Sequence, residues 1–161
     1  MRQYLLGFLL AMCASSVFAE AGVTDKTIVI GQNISLDQGK NSYGVAALHG
    51  IKMYFDKANA EGGINGRKLV LRTLDDENKA TNAAVNARQL IADGVFILFG
   101  SIEGGPSTAV AEVATEAKVP FFGPMAGAPT LRRPYQPYVF PVRAEHRDEF
   151  RGLLNWGKTT G

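Results

Sequence analysis

Cysteine is almost missing from this chain: Cys13 is the only one, and it lies in the first apolar run. Downstream of it there is no partner for a disulfide, no thiol nucleophile and no cysteine metal ligand, so folding must rest on an apolar core. Histidine is nearly as scarce. His49 and His146 are isolated and make no zinc pattern. There is no basic stripe either, since only Arg132 and Arg133 are adjacent among 17 Lys and Arg and the formal net charge is +2. That excludes a nucleic-acid partner. No apolar run approaches the roughly 20 residues that span a bilayer. No Gly-x-Ser-x-Gly elbow accompanies the serines, and neither histidine has an evident nucleophile beside it, so the chain is not expected to be an enzyme.

What is present begins with an export signal. Arg2 supplies a positive start, Leu5 to Met12 a short apolar stretch, and Val17-Phe18-Ala19 a small-x-small cleavage site. Cleavage after Ala19 would leave residues 20–161 as the mature segment, periplasmic or secreted and without stable membrane insertion. The competing reading is a lipoprotein signal at Leu10-Ala11-Met12-Cys13, which Met12 disfavours because it is large for that peptidase. The mature segment suits a single domain, and 46% hydrophobic with 20% charged residues is globular rather than disordered composition.

Hydrophobic periodicity then alternates between two types. Thr27 to Asn33 reads as a central strand covered on both faces. Ser42 can cap a helix whose buried stripe is Val45, Leu48, Ile51, Phe55 and Ala58. Gly62 to Gly66 turns the chain into a second strand, Lys68 to Leu74. A second helix carries Ala80, Ala83, Ala84, Ala87, Leu90 and Ile91 and stops at Asp93-Gly94, before the strand Val95 to Phe99. Pro106 fits the first turn of a third helix running to Ala117. Val119 to Phe122, Tyr138 to Val142 and a helix from Glu145 to Trp156 complete the pattern. The implied fold is α/β: a Rossmann-like parallel five-stranded sheet in the order 2-1-3-4-5, with helices on both faces.

In such a sheet ligands sit outside the carboxyl ends of the strands. Three glycine-bearing loops open there: Ile34 to Gly44, Gly100 to Ser107, and Gly123 to Thr130. Two of them run into helix N-termini, whose partial positive charge suits a carboxylate or another anion. Asp75 and Asp76 lack the alternating pattern of a calcium loop and are read as orienting neighbouring turns. No metal or cofactor is called for. Gly152 to Thr159 matches a phosphate-loop pattern letter for letter, but a helix rather than a strand precedes it and only two residues follow, so a P-loop nucleotide-binding enzyme is the weakest reading. Asn33-Ile34-Ser35 matches a glycosylation sequon, a short signal that arises easily by chance.

Several of these segments carry a likeness. Val29 to Gly44, the helix closing on Asn59 to Arg67, the strand ending in Asp75-Asp76 and the paired glycine loops resemble the leucine/isoleucine/valine-binding family of type I periplasmic binding proteins. The likeness covers nearly all of residues 20–161 and implies the N-terminal lobe of a two-lobed protein that captures a small-molecule solute and delivers it to the permease and ATPase of an ABC importer. An exported sensor using the same lobe is the alternative. Mapped onto the family's site, Tyr43 matches the site aromatic, whereas Gly104 and Gly127 stand where typical members have a Ser and a Thr. The resemblance therefore implies main-chain binding by Gly104, Gly105, Ala126 and Gly127, with Tyr43 and Met125 against the ligand body and Glu103 facing any cationic group. A branched-chain amino acid, another carboxylate, an aromatic acid and an amide all remain open.

Overall fold

A computed structural model describes residues 20–160; the expected signal segment and Gly161 lie outside it. Five strands form one parallel sheet in the order β2-β1-β3-β4-β5. β1 (Thr27–Ile34) pairs along its whole length with β2 (Lys68–Asp75), and on its other side with β3 (Ile97–Phe99); β4 (Phe121–Phe122) and β5 (Val139–Phe140) extend the sheet. The expected order is the observed one. The later strands are shorter than the apolar runs predict. At β3 the reason is local, because the Val95 N–H is used on the Leu90 carbonyl at the end of the preceding helix.

Four helices connect and follow these strands: α1 (Ser42–Ala60), α2 (Ala80–Ala92), α3 (Gly104–Ala117) and α4 (His146–Thr160). α1 is capped by Asn41 rather than Ser42; the Asn41 side chain accepts the Gly44 N–H at 3.1 Å, and Ser42 is the first helical residue. α2 and α3 pack together on one face of the sheet. Ala83 and Ala87 on α2 and Ala111 and Ala114 on α3 have little or no exposure, because small side chains let both helices lie close to the sheet and to each other. Leu98, Phe121 and Val139 are register partners across β3, β4 and β5 and all point into this core.

The opposite face shows the complementary set. Phe99, Phe122 and Phe140 are also register partners, and Phe99 stacks on Phe122 with ring centroids 6.3 Å apart while Phe55 of α1 meets Phe99 at the same distance. Here α1 lies over the β2 side of the sheet and reaches across to Phe99, which leaves Phe122 and Phe140 each 48% exposed. The α1 stripe of Val45, Leu48, Ile51, Phe55 and Ala58 is accordingly half-buried. α4 is amphipathic but unpacked among the described residues: Phe150, Leu153, Leu154 and Trp156 are all more than 60% exposed.

The phosphate-loop pattern at Gly152 to Thr159 lies wholly inside α4, so its N–H groups are used in a helix and cannot cradle a phosphate. Asn33, the sequon residue, is buried and bonded to Asp76, so it offers no attachment point for a glycan.

Candidate ligand-binding site at the carboxyl edge of the sheet

The loops at the strand carboxyl ends are fixed by two neighbouring carboxylates with separate tasks. Asp76 is fully buried and accepts from Asn33 Nδ2 at 2.6 Å, Ser35 Oγ at 2.6 Å and the Asn78 N–H at 2.9 Å, tying the end of β1 to the end of β2. Asp75 accepts the N–H groups of Leu36, Asp37, Gln38 and Glu77 at 2.8 to 3.2 Å. Burial opposes its charge, but these four main-chain donors outweigh burial and hold its carboxyl below the usual value of 3.8. This lets Asp37 and Gln38 keep left-handed backbone angles of +48° and +54°. Both aspartates orient turns, and no group of three or more His, Cys, Asp or Glu among the described residues could hold a metal ion.

The turn so formed delivers α1 with Gly44 packed against the Ser35 carbonyl, which places Tyr43 at the edge of the sheet, 82% exposed. From the other side, the loop after β3 crosses the core at Ser101. Its hydroxyl accepts from Ser107 Oγ at 3.0 Å in the interior, and its carbonyl accepts the Met125 N–H at 2.9 Å. The loops after β3 and β4 are thereby joined.

A cleft of about 750 Å³ lies between these segments, lined by Tyr43, Ala46 and Ala47 of α1, Ile102 and Glu103 after β3, Met125 after β4, and Val142 and Arg143 after β5. Its walls are mostly apolar, and its charged members are Glu103 and Arg143. A smaller, nearly wholly apolar pocket of about 330 Å³ adjoins it, sharing Ala47, Met125 and Val142 and reaching Phe99 and Phe122. Tyr43, Glu103 and Met125, the side chains that the family resemblance singles out, thus line one cleft. Arg143 and Val142 belong to the same wall and were not anticipated. They follow a two-residue strand in an irregular segment, where neither periodicity nor glycine content gives a signal.

The four main-chain positions sit beside the cleft rather than on its wall. Gly104 and Gly105 open α3, and Pro106 at the third helical position has no N–H, so this helix end offers the Gly104 and Gly105 donors before the Ser107 N–H turns to the Glu103 carbonyl. A Cβ at Gly105 would meet nothing within 4 Å, and one at Gly104 only Ala128 at 3.8 Å. Gly127 is different: a Cβ there would lie 2.6 to 2.9 Å from the His146 ring, so a larger residue at this position would have to displace that side chain. Ala126 is buried. Arg132 braces this loop by donating to the Ala126 and Ala128 carbonyls at 3.4 and 3.1 Å and to the Arg143 carbonyl, while Arg133 pairs with the buried Glu145 at 2.5 Å. Among the described residues the Ala126 and Gly127 N–H groups have no hydrogen-bond partner.

At the β5 exit, Arg143 donates from Nε to Glu149 Oε1 at 2.7 Å and from Nη2 to Glu149 Oε2 at 2.9 Å, and His146 Nδ1 lies 3.3 Å from the same carboxylate. Hydrogen bonding from Arg143 is the main reason the Glu149 carboxyl is held below its usual value, with His146 assisting. Among the described residues no helix is long and apolar enough to cross a membrane.

Comparison with known proteins agrees with this architecture. The family model described as periplasmic binding protein matches residues 18–161. A Leu/Ile/Val-binding protein of Rhizobium johnstonii is 30% identical over 122 residues, covering 76% of this chain and 33% of the relative. A substrate-binding periplasmic protein of Ralstonia solanacearum superposes with a TM-score of 0.74 at 30% identity, covering 83% of this chain and 38% of that one. The branched-chain amino acid transporter substrate-binding protein of Streptococcus pneumoniae, solved in complex with isoleucine, gives 0.66 at 26% identity, covering 74% and 34%. The chain spans about a third of the length of the curated relatives it matches. With the family model matching nearly the whole chain and the sheet order and edge cleft as described, this chain belongs to the periplasmic binding protein family.

Proposed function

We propose that this chain is the N-terminal, ligand-gripping lobe of an extracytoplasmic solute-binding protein that supplies an ABC importer, and that it acts by binding rather than by catalysis. The observation that carries this reading is the cleft of about 750 Å³ at the carboxyl edge of the sheet, where Tyr43, Glu103 and Met125 meet beside the opened end of α3. A mostly apolar cavity with a few convergent polar groups is the usual form of a small-molecule site. The solute is amino-acid-like or a carboxylate. Its apolar body packs on Tyr43 and Met125, Glu103 meets any cationic group, and the N–H groups of Gly104, Gly105, Ala126 and Gly127 supply main-chain donors. In this reading a second lobe closes over the solute and excludes water, and the permease and ATPase recognise the closed form. Removal of residues 1–19 places the protein in the periplasm or outside the cell. Relatives named as Leu/Ile/Val-binding proteins support this assignment.

Thermal denaturation of the full-length protein against a panel of amino acids, carboxylates and amides tests it, because a ligand that binds only the folded state raises the midpoint. At least one amino acid or carboxylate should do so. The Gly105→Val variant should abolish the rise without unfolding the protein, since the space at Gly105 is open, and Lys158→Ala should leave it intact. A midpoint unmoved by every solute, or a rise that survives Gly105→Val and vanishes in Lys158→Ala, would overturn the assignment.

A further inference from the structure

The Arg143–Glu149 pair uses only one side of the guanidinium. Nε and Nη2 each donate once to the two Glu149 oxygens, and this side-on arrangement fixes the guanidinium plane. An arginine carries five N–H donors, so three remain: both on Nη1 and the second on Nη2. One on Nη1 and the second on Nη2 form the end-on fork of the guanidinium, whose spacing matches a carboxylate, and the other Nη1 hydrogen faces back towards the side-chain stem. Among the described residues none of the three has an acceptor, and Arg143 lines the cleft beside Tyr43. The backbone is held as well as the side chain, because Arg132 donates to the Arg143 carbonyl. Pre-setting an arginine in this way lowers the entropy lost when it takes up a second anion.

We propose that Arg143 is the specificity-determining residue of the cleft, presenting the unused edge of its guanidinium to a ligand carboxylate, and that Glu149 is the positioning residue that aims it. The inference rests on the solute-binding reading and narrows its ligand class: an anionic solute with an apolar body is taken, and its neutral amide is refused. The alternative is that the pair merely pins α4 to the end of β5. In that case the charge of the ligand would not matter to Arg143.

The test uses the full-length protein and matched probes: leucine, 3-phenylpropionate and 3-phenylpropionamide, each titrated by calorimetry. Wild-type protein should bind at least one carboxylate, and should bind 3-phenylpropionamide about 10- to 100-fold more weakly than 3-phenylpropionate, the range for losing hydrogen bonds to a charged group. Arg143→Gln should erase that difference by weakening the carboxylate alone. Arg143→Lys should recover part of the discrimination, having the charge but not the fork. Glu149→Gln should give an intermediate loss in the same direction. Equal binding of acid and amide by the wild type, or discrimination that survives in Arg143→Gln, overturns the role of Arg143 while leaving the solute-binding reading in place. A purely structural role would weaken acid and amide together in both Arg143 variants, which also overturns it. Binding of none of the three probes by the wild type overturns the inference together with the reading beneath it.

Discussion

Replacing Gly44 with alanine places one methyl group where the fold has no room for it. The new Cβ would stand 1.9 Å from the Ser35 carbonyl oxygen and 3.0 Å from its carbon, and both are backbone atoms that no side-chain rotation can move. To reach a tolerable contact, α1 and the end of β1 must separate by about 1 Å. Overpacking of this kind costs about 1–3 kcal/mol. Ser35 cannot yield freely, because its hydroxyl is buried and bonded to Asp76 at 2.6 Å; breaking that bond to a carboxylate adds about 1.5–3 kcal/mol. The two together come to about 2.5–6 kcal/mol, a large part of the 5–15 kcal/mol that stabilises a typical domain. Helix propensity runs the other way, since Gly to Ala inside a helix normally gains about 0.8–1 kcal/mol. Gly50, in the middle of the same helix with nothing within 4 Å of its would-be Cβ, isolates that gain. Urea denaturation should therefore show Gly44→Ala strongly destabilised and Gly50→Ala slightly stabilised. Because Tyr43 precedes Gly44, Gly44→Ala should also weaken solute binding. A Gly44→Ala protein as stable as the wild type would refute the claim that Ser35 and Asp76 fix the entry to α1.

Three further outcomes are expected. The folded Asp75 carboxyl lies below its usual value of 3.8, so its stabilising contribution is complete above that value and is lost as pH falls through the lower folded value; Asp75→Asn should flatten the acid limb of a stability–pH curve, and an unchanged limb would show that Asp75 is not linked to folding. Export should leave Glu20 as the first residue by intact-mass measurement, whereas a product beginning at a lipidated Cys13 would establish the lipoprotein route. If the proposed two-lobed reading holds, residues 20–161 purified alone should bind solute far more weakly than a two-lobed protein and self-associate in sedimentation, because half-exposed Phe122 and Phe140 and the bare face of α4 leave apolar surface in water; monodisperse residues 20–161 with the same affinity would contradict this.

The sheet was legible because its strands and helices differ in period and are punctuated by glycine, proline and aspartate. Even the half-buried α1 stripe could be read residue by residue. Strand ends were less so. Val95 has the right side chain for a strand, but its N–H is taken by the helix before it, a competition that side-chain type does not reveal. Asn41 and Ser42 are both good caps, and only backbone angles decide between neighbours. In the candidate site, the three loops were accessible from the rule that ligands gather at strand carboxyl ends, whereas Tyr43 and Met125 were singled out within them only by the family resemblance. Arg143 was not, because its place in the cleft depends on where β5 joins the sheet and on Glu149 six residues later. Gly127 carries a second constraint that the sequence does not show: the His146 ring, 19 residues further along, packs close to it.

Hydrogen exchange of the full-length protein, with and without a bound carboxylate solute, tests the central claim most directly. Backbone amides of Tyr43 to Ala47, Ile102 to Gly105 and Met125 to Gly127 should slow on binding, while the turns at the other end of the strands, Gly62 to Gly66 and Asp93-Gly94, should be unchanged. Protection confined to those opposite turns, or absent from all three cleft segments while the solute is bound, would contradict a binding site at the carboxyl edge of the sheet.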